Sequence, residues 1–307
     1  MQKIVIISSV FLLLIAWASE NQQNSSTALK GPYLGQSPPG LTPEIFAPGI
    51  ISSKADEGCS SFSKDGQVYF FARAKSPISG IFVMNQVNDV WSEPQLAPFS
   101  AGKYDWDFML APDNKTVYIS SRRPIQEGGE PQKNYRIWIS EQTGKGWSTP
   151  QLLPFPVNSG QHDSYPSLTE NNTLYFFSNR DGGPGQGDIY KSAMVNGQYE
   201  HVELLGMPIS TYYYEVDPFI APDESYLIIC SNKSGGFGSF DIYISFPSAE
   251  GFWTEPINMG DKINSKFTEY IPYVTPDNKY FFFTSDKSGN REIYWVDAKI
   301  IDSFRKN

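Results

Sequence analysis

Five carboxylates recur at one spacing. Glu57, Asp105, Asp163, Glu215 and Glu269 each stand eight residues before a turn residue: Asp65, Asp113, Asn171, Asp223 and Asp277. Aromatic residues crowd the same stretches, among them Tyr104, Trp106, Tyr165, Tyr212, Tyr213, Tyr214 and Tyr270. Carboxylates gathered on one face can hold a cation, hydrogen-bond sugar hydroxyls or attract a basic partner, and the rings beside them offer flat stacking surfaces. An acid at a fixed place in a repeat has a second use. It can accept hydrogen bonds from the backbone N–H groups of a neighbouring loop and so fasten one unit to the next. Glycoside hydrolysis would draw on Asp105, Asp163 and Glu215. It needs unlike carboxylates, one protonated and one ionised, at ~5–5.5 Å for retention or ~6.5–9.5 Å for inversion. Acids related by repetition sit in like environments, which favours the fastening role.

Other chemistry has little to work with. The chain holds two histidines, His162 and His201, and neither a His-Glu-x-x-His nor a Gly-x-Ser-x-Gly motif. The glycine-rich run Gly182–Gly187 lies between two strand patterns, so it cannot set a phosphate on a helix N-terminus. The loop after Asp181, with Asp188 and main-chain carbonyls, could take Ca²⁺, although its carboxylates are sparse; no other cofactor or metal is expected. Asp188 and Asp241 read as turn acceptors at the start of a strand. Trp91, Trp147 and Trp253 read as packing between units.

The elements that must position these residues form a repeat. Short apolar and aromatic alternations, broken by turn residues, run along the chain with no long helical period after the first residues. One hairpin returns five times: Ser61–Ala72, Met109–Ser121, Ser167–Ser178, Phe219–Cys230 and Tyr273–Thr284. Pro, Asp, Asn or Gly holds each turn. A polar loop and a third strand follow, as in Asp188–Ser192 and Asp241–Ser245, and then in most units a fourth strand such as Trp91–Phe99 or Trp147–Phe155. A four-stranded unit of this size cannot bury both faces alone and must stack on its neighbours, which is the logic of a propeller blade. The fifth unit lacks a fourth strand, and Leu41–Ile50 resembles the missing piece. An all-β fold is expected: a five-bladed propeller of four-stranded blades, closed by an N-terminal strand.

The repeated pattern is specific: an acid, two residues, Pro, a Pro-Asp turn, an aromatic strand, Ser-x-Arg/Lys, a glycine-bearing loop and Asp/Glu-Ile-Tyr. It resembles the TolB-type, WD-repeat-like β-propeller repeat, most clearly over Glu215–Tyr243 and Glu269–Tyr294. Asp163–Tyr190 matches with Thr169-Glu170-Asn171 at the turn, and the first unit departs most. Six-bladed members occur in that family, which leaves six as the alternative count. The resemblance implies an envelope interaction platform rather than an enzyme. The expected ligand-binding face carries Glu57, Asp105, Asp163, Glu215 and Glu269 with Tyr104, Trp106, Tyr165, Tyr214 and Tyr270.

Residues 1–18 read as a signal peptide: a basic start, an apolar run and Ala16-Trp17-Ala18. Residues 19–40 read as a flexible, polar tether, and residues 41–307 as the propeller. Removing residues 1–18 leaves 23 basic against 33 acidic residues, net −10, which disfavours nucleic acid as a partner. Cys59 and Cys230 fall on non-adjacent blades, so two free thiols are expected. These features suggest an exported, periplasmic or extracellular, non-catalytic binding or scaffolding propeller. It would contact a protein, peptide or cell-envelope polymer through its acidic, aromatic face, with no membrane span after cleavage. A carbohydrate-active enzyme using carboxylates on that face is the alternative.

Overall fold

The computed structural model describes residues 29–305. Five antiparallel blades are arranged as a propeller, each with a wholly or largely buried inner strand: Asp56–Phe62, Asp105–Leu110, Asp163–Leu168, Glu215–Ile220 and Glu269–Val274. Each inner strand pairs with the second strand, and that with the third. Burial on both faces explains why the second strands are near-continuous apolar runs, such as Leu227–Ser231 and Tyr280–Ser285. Ring closure follows the expected route. Glu44–Ile45 adds antiparallel to Glu292–Asp297, with Glu44 opposite Trp295 and Ile45 opposite Tyr294. The last blade is thus built from both ends of the chain, which covers an otherwise bare strand edge.

The fourth strand departs from expectation in blades 1 to 3; in blade 3, Gln198–Tyr199 pairs with Met194–Val195, and Glu203–Leu204 pairs with the third strand. Val90–Trp91 and Gly146–Trp147 close short hairpins, and separate pieces, Gln95–Leu96 and Gln151–Leu152, resume pairing with the third strand. Pro94 and Pro150 lie in the gaps, where a missing N–H interrupts the ladder.

Residues 1–28, which include the expected signal peptide and the first part of the expected tether, lie outside the described residues. The remainder of the tether expectation needs correction: residues 29–40 pack against the ring. Leu34 is buried, the Trp91 indole donates to the Gly31 carbonyl at 2.7 Å, and the Tyr33 hydroxyl donates to Asp277 at 2.7 Å. Tyr33 also meets Phe62 of blade 1 and Tyr280 of blade 5 edge-on. A few apolar side chains, Leu29, Tyr33 and Leu34 among them, anchor this otherwise polar segment across the closure. Trp147 packs on Phe70 of the preceding blade, and Trp253 against the core between blades 3 and 4. Cys59 and Cys230 are free and buried, with burial pushing both thiols up. Among the described residues, no helix is long and apolar enough to cross a membrane.

Candidate functional site

The repeated acids form one recurring clasp. Each accepts from the backbone N–H four residues earlier, where the chain enters the blade: Ser53 to Glu57, Ser159 to Asp163, Thr211 to Glu215 and Ser265 to Glu269, at 3.2, 2.7, 2.7 and 2.8 Å. Ala101 serves Asp105 in the same way. The second strand supplies the other half through the Ser-x-Arg/Lys motif. Ser178, Ser231 and Ser285 donate their hydroxyls to Asp163, Glu215 and Glu269. Arg123 and Arg180 reach Asp105 and Asp163 at 2.9 and 2.8 Å, and Arg73 reaches Glu57 at 2.8 Å. All five carboxylates are buried. Their acceptors are taken by the chain itself, as the low-dielectric interior requires of a buried charge.

Lysines replace arginine in the last two blades and do not close on the acid. Lys233 pairs with Glu255, and Lys287 sits 4.0 Å from the centre of the Tyr294 ring. Burial pushes the Glu215 carboxyl up. The glycine loops on the same face owe their composition to close approach. A Cβ at Gly238 would overlap the carbonyl oxygens of Ser265 and Phe267, where blade 4 leans on the entry to blade 5. Asp241 accepts from the N–H groups of Phe237 and Gly238, so it organises its own loop. Among the described residues, no three His, Cys, Asp or Glu side chains gather where a metal could be held.

The accessible feature of this face is a funnel of about 710 Å³ at its centre. Trp106, Tyr165, Tyr214 and Tyr270 line it, as expected, and Tyr135, His162, Phe177 and Phe240 join them. Asp105 touches its edge while bound to Arg123; Glu57, Asp163, Glu215 and Glu269 do not line it, nor does Tyr104. Arg291 projects into the funnel with its guanidinium over Trp106 and Tyr270, 5.4 and 5.3 Å from the ring centres. Tyr135 stacks on His162 at 5.2 Å, and burial lowers the imidazole's pKa.

Two acids that differ from the repeat lie at the floor, Asp107 and Asp217. Both are buried, at 4% and 3% exposed, and Oδ1 of each has no hydrogen-bond partner within the described residues. The Tyr270 hydroxyl is likewise unpartnered. Burial pushes both carboxyls up, Asp217 to about 7. The other Asp217 oxygen accepts the Ile271 N–H at 2.9 Å.

These acids occupy the position two residues after each repeated acid, which holds Cys59, Asp107, Tyr165, Asp217 and Ile271 in blades 1 to 5. All five line a small cavity of about 30 Å³ beneath the funnel. Each inner strand carries a bulge here. Cys59, Tyr165, Asp217 and Ile271 have φ of +52 to +54°. Left-handed backbone at non-glycine residues costs roughly 1–3 kcal/mol each and persists where surrounding structure enforces it. The equivalent position therefore differs in chemistry from blade to blade, while the bulge is common to all five and the left-handed backbone to all but Asp107. Attention to the repeated acids hides it; comparing aligned units for the position that varies most in chemical type would have exposed it.

The ring is a β-propeller of the kind seen in TolB. The putative TolB from Agrobacterium tumefaciens is 14% identical, with TM-score 0.53 over 81% of this chain and 79% of that one. An endo-arabinase from Bacteroides thetaiotaomicron is 15% identical, with TM-score 0.50 over 85% and 97%. A structure described as a glycoside hydrolase is 11% identical, with TM-score 0.54 over 88% and 92%. No family profile and no curated protein matches the chain. At these identities the likeness is one of fold, which hosts both binding modules and enzymes.

Proposed function

We propose that the chain is an exported, non-catalytic binding propeller that seats a protein segment, peptide or cell-envelope polymer in the central funnel. One observation carries this reading. The aromatic half of the expected face, Trp106, Tyr165, Tyr214 and Tyr270, converges on an open funnel around Arg291, whereas the repeated acids are engaged inside the chain. On this reading Glu57, Asp105, Asp163, Glu215 and Glu269 are fasteners that hold the blades at the funnel mouth. Export rests on the character of residues 1–18, and the fold likeness to TolB agrees with an envelope role.

The test is a binding screen of the purified protein against envelope extract and a glycan array, beside a Trp106→Ala/Tyr270→Ala variant. The reading expects at least a tenfold loss in the variant with the melting transition retained. Unchanged binding would move the ligand elsewhere.

A second reading, a carbohydrate-active enzyme, is favoured by Asp107 and Asp217. Among the described residues, Asp217 accepts an N–H and Asp107 does not, each keeps an orphaned oxygen, and both line the funnel, so two carboxylates of the kind glycoside hydrolysis draws on meet there. Glycan turnover by the wild-type protein, abolished in Asp107→Asn and in Asp217→Asn, would establish it. Absence of turnover across the array would dispose of it.

A further inference from the structure

We propose that the funnel recognises an acidic sugar, a hexuronic acid unit of a polysaccharide, whose carboxylate is held by Arg291. This rests on the reading of the funnel as the binding site and names the ligand class.

The arginine is the first ground. Arg73, Arg123 and Arg180 are each bound to a repeated acid. Arg291 has no hydrogen bond to its guanidinium and no carboxylate within 4.0 Å among the described residues, although it lines the open, aromatic funnel. Its guanidinium lies over both the Trp106 and the Tyr270 ring, contacts that restrict its rotamers before a ligand arrives. A fixed, planar fork of donors without an acceptor suits a carboxylate, which it binds through two parallel N–H···O bonds.

The floor is the second ground. Asp107 Oδ1, Asp217 Oδ1 and the Tyr270 hydroxyl are all buried and unpartnered, and all three residues line the funnel. Buried polar groups in native proteins are satisfied in the great majority of cases, so three orphans at one floor mark the place of missing partners. Burial favours the neutral carboxyl at Asp107 and Asp217. A protonated carboxyl can both donate to and accept from a hydroxyl.

The walls are the third ground. A sugar ring presents an apolar C–H face to an aromatic ring and hydroxyls around its rim. Tyr165 and Tyr214 supply the first surface, and the orphaned groups match the second. Exposed rings continue outward beside the lining residues: Tyr212 is 83% and Phe267 40% exposed. A polymer could extend across that rim.

The experiment is calorimetric titration of the purified protein with three probes: tetragalacturonate, maltotetraose as a neutral tetramer, and a tetrapeptide with a free C-terminal carboxylate. Arg291→Gln and Arg291→Lys are titrated in parallel, with thermal unfolding of each. The expected result is tetragalacturonate binding at least tenfold tighter than the neutral tetramer, weakened at least tenfold in Arg291→Gln. Arg291→Lys, which keeps the charge without the fork, should fall between them. Binding of the neutral tetramer at equal strength, weakened by Trp106→Ala/Tyr270→Ala, would overturn the acidic-sugar proposal and leave the funnel reading standing. Binding of the peptide alone would overturn it in favour of a protein partner. Acid-tetramer binding that is unaffected by either arginine variant in folded protein would overturn the assignment to Arg291. If none of the three probes binds, the proposal fails; whether the funnel is the binding site is then decided by the extract screen.

Discussion

Asp163 offers the sharpest test of whether the repeated acids fasten blades or bind ligand. Its side chain accepts the Ser159 N–H at 2.7 Å, the Ser159 hydroxyl at 2.9 Å, the Ser178 hydroxyl at 2.6 Å and Arg180 Nη2 at 2.8 Å. Asp163→Asn is nearly isosteric, but one acceptor oxygen becomes an NH₂ group that meets donors, and Arg180 loses its counter-charge. Breaking a buried pair on one side costs about 3–5 kcal/mol. Arg180 also donates to the Pro156 and Val157 carbonyls, so the lower end, about 3 kcal/mol, is expected. For the 277 described residues, at ~2.1 cal/mol/K of unfolding entropy per residue, that is a fall in Tm of roughly 5 °C. The assay is thermal unfolding at pH 7 by circular dichroism, followed by titration of the funnel ligand well below the new transition. The reasoning expects a lower Tm with affinity within about twofold of wild type, since ~0.4 kcal/mol is a factor of two. A Tm within ~2 °C of wild type together with lost affinity would refute it and return the repeated acids to the binding site.

Other expectations follow from the same geometry. Glu269 has no arginine partner, so Glu269→Gln should cost only about 1–2 kcal/mol, read in the same melting experiment. Asp217 holds a carboxyl raised to about 7 against an ordinary value of 3.8. Its proton favours the folded state, a contribution complete below the unfolded value and lost as pH rises through about 7. Asp217→Asn should therefore gain stability relative to wild type as pH goes from 4 to 8, and a constant difference across urea titrations at those pH values would contradict the assignment. Leu34→Ala should destabilise the protein by about 2–4 kcal/mol if residues 29–40 seal the ring, whereas a true tether would register no change in denaturant midpoint. Gly238→Ala should cost at least about 2–3 kcal/mol through overlap with the Ser265 and Phe267 carbonyls, visible as a lower Tm than that of Ala at the open position Gly206.

Much of the fold was legible because a blade is a local object. Its hairpin turn, apolar second strand and Ser-x-Arg/Lys signal all fall within one repeat, so aligned units reveal strand order and even the closing role of Glu44–Ile45. The clasp was half legible: the acid and the Ser-x-Arg/Lys motif are both visible in sequence, but their meeting depends on strand register. Residues 29–40 were misjudged because composition averages over a segment. There, a few residues decide the outcome, Tyr33 through contacts with Asp277 and Tyr280 more than two hundred positions away.

By itself, the sequence determined the repeat, the all-β architecture, the blade count and the face on which acids and aromatics would gather, because these depend on periodicity and turn chemistry within short windows. Only the tertiary structure decided which of those residues are free. Burial turned the repeated acids inward onto backbone and arginine, since a charge taken from water must find partners close by. The ring geometry brought Asp107, Asp217 and Arg291, from three different blades, to one funnel. No local pattern encodes that meeting, because it arises from the curvature of five stacked sheets around a common axis.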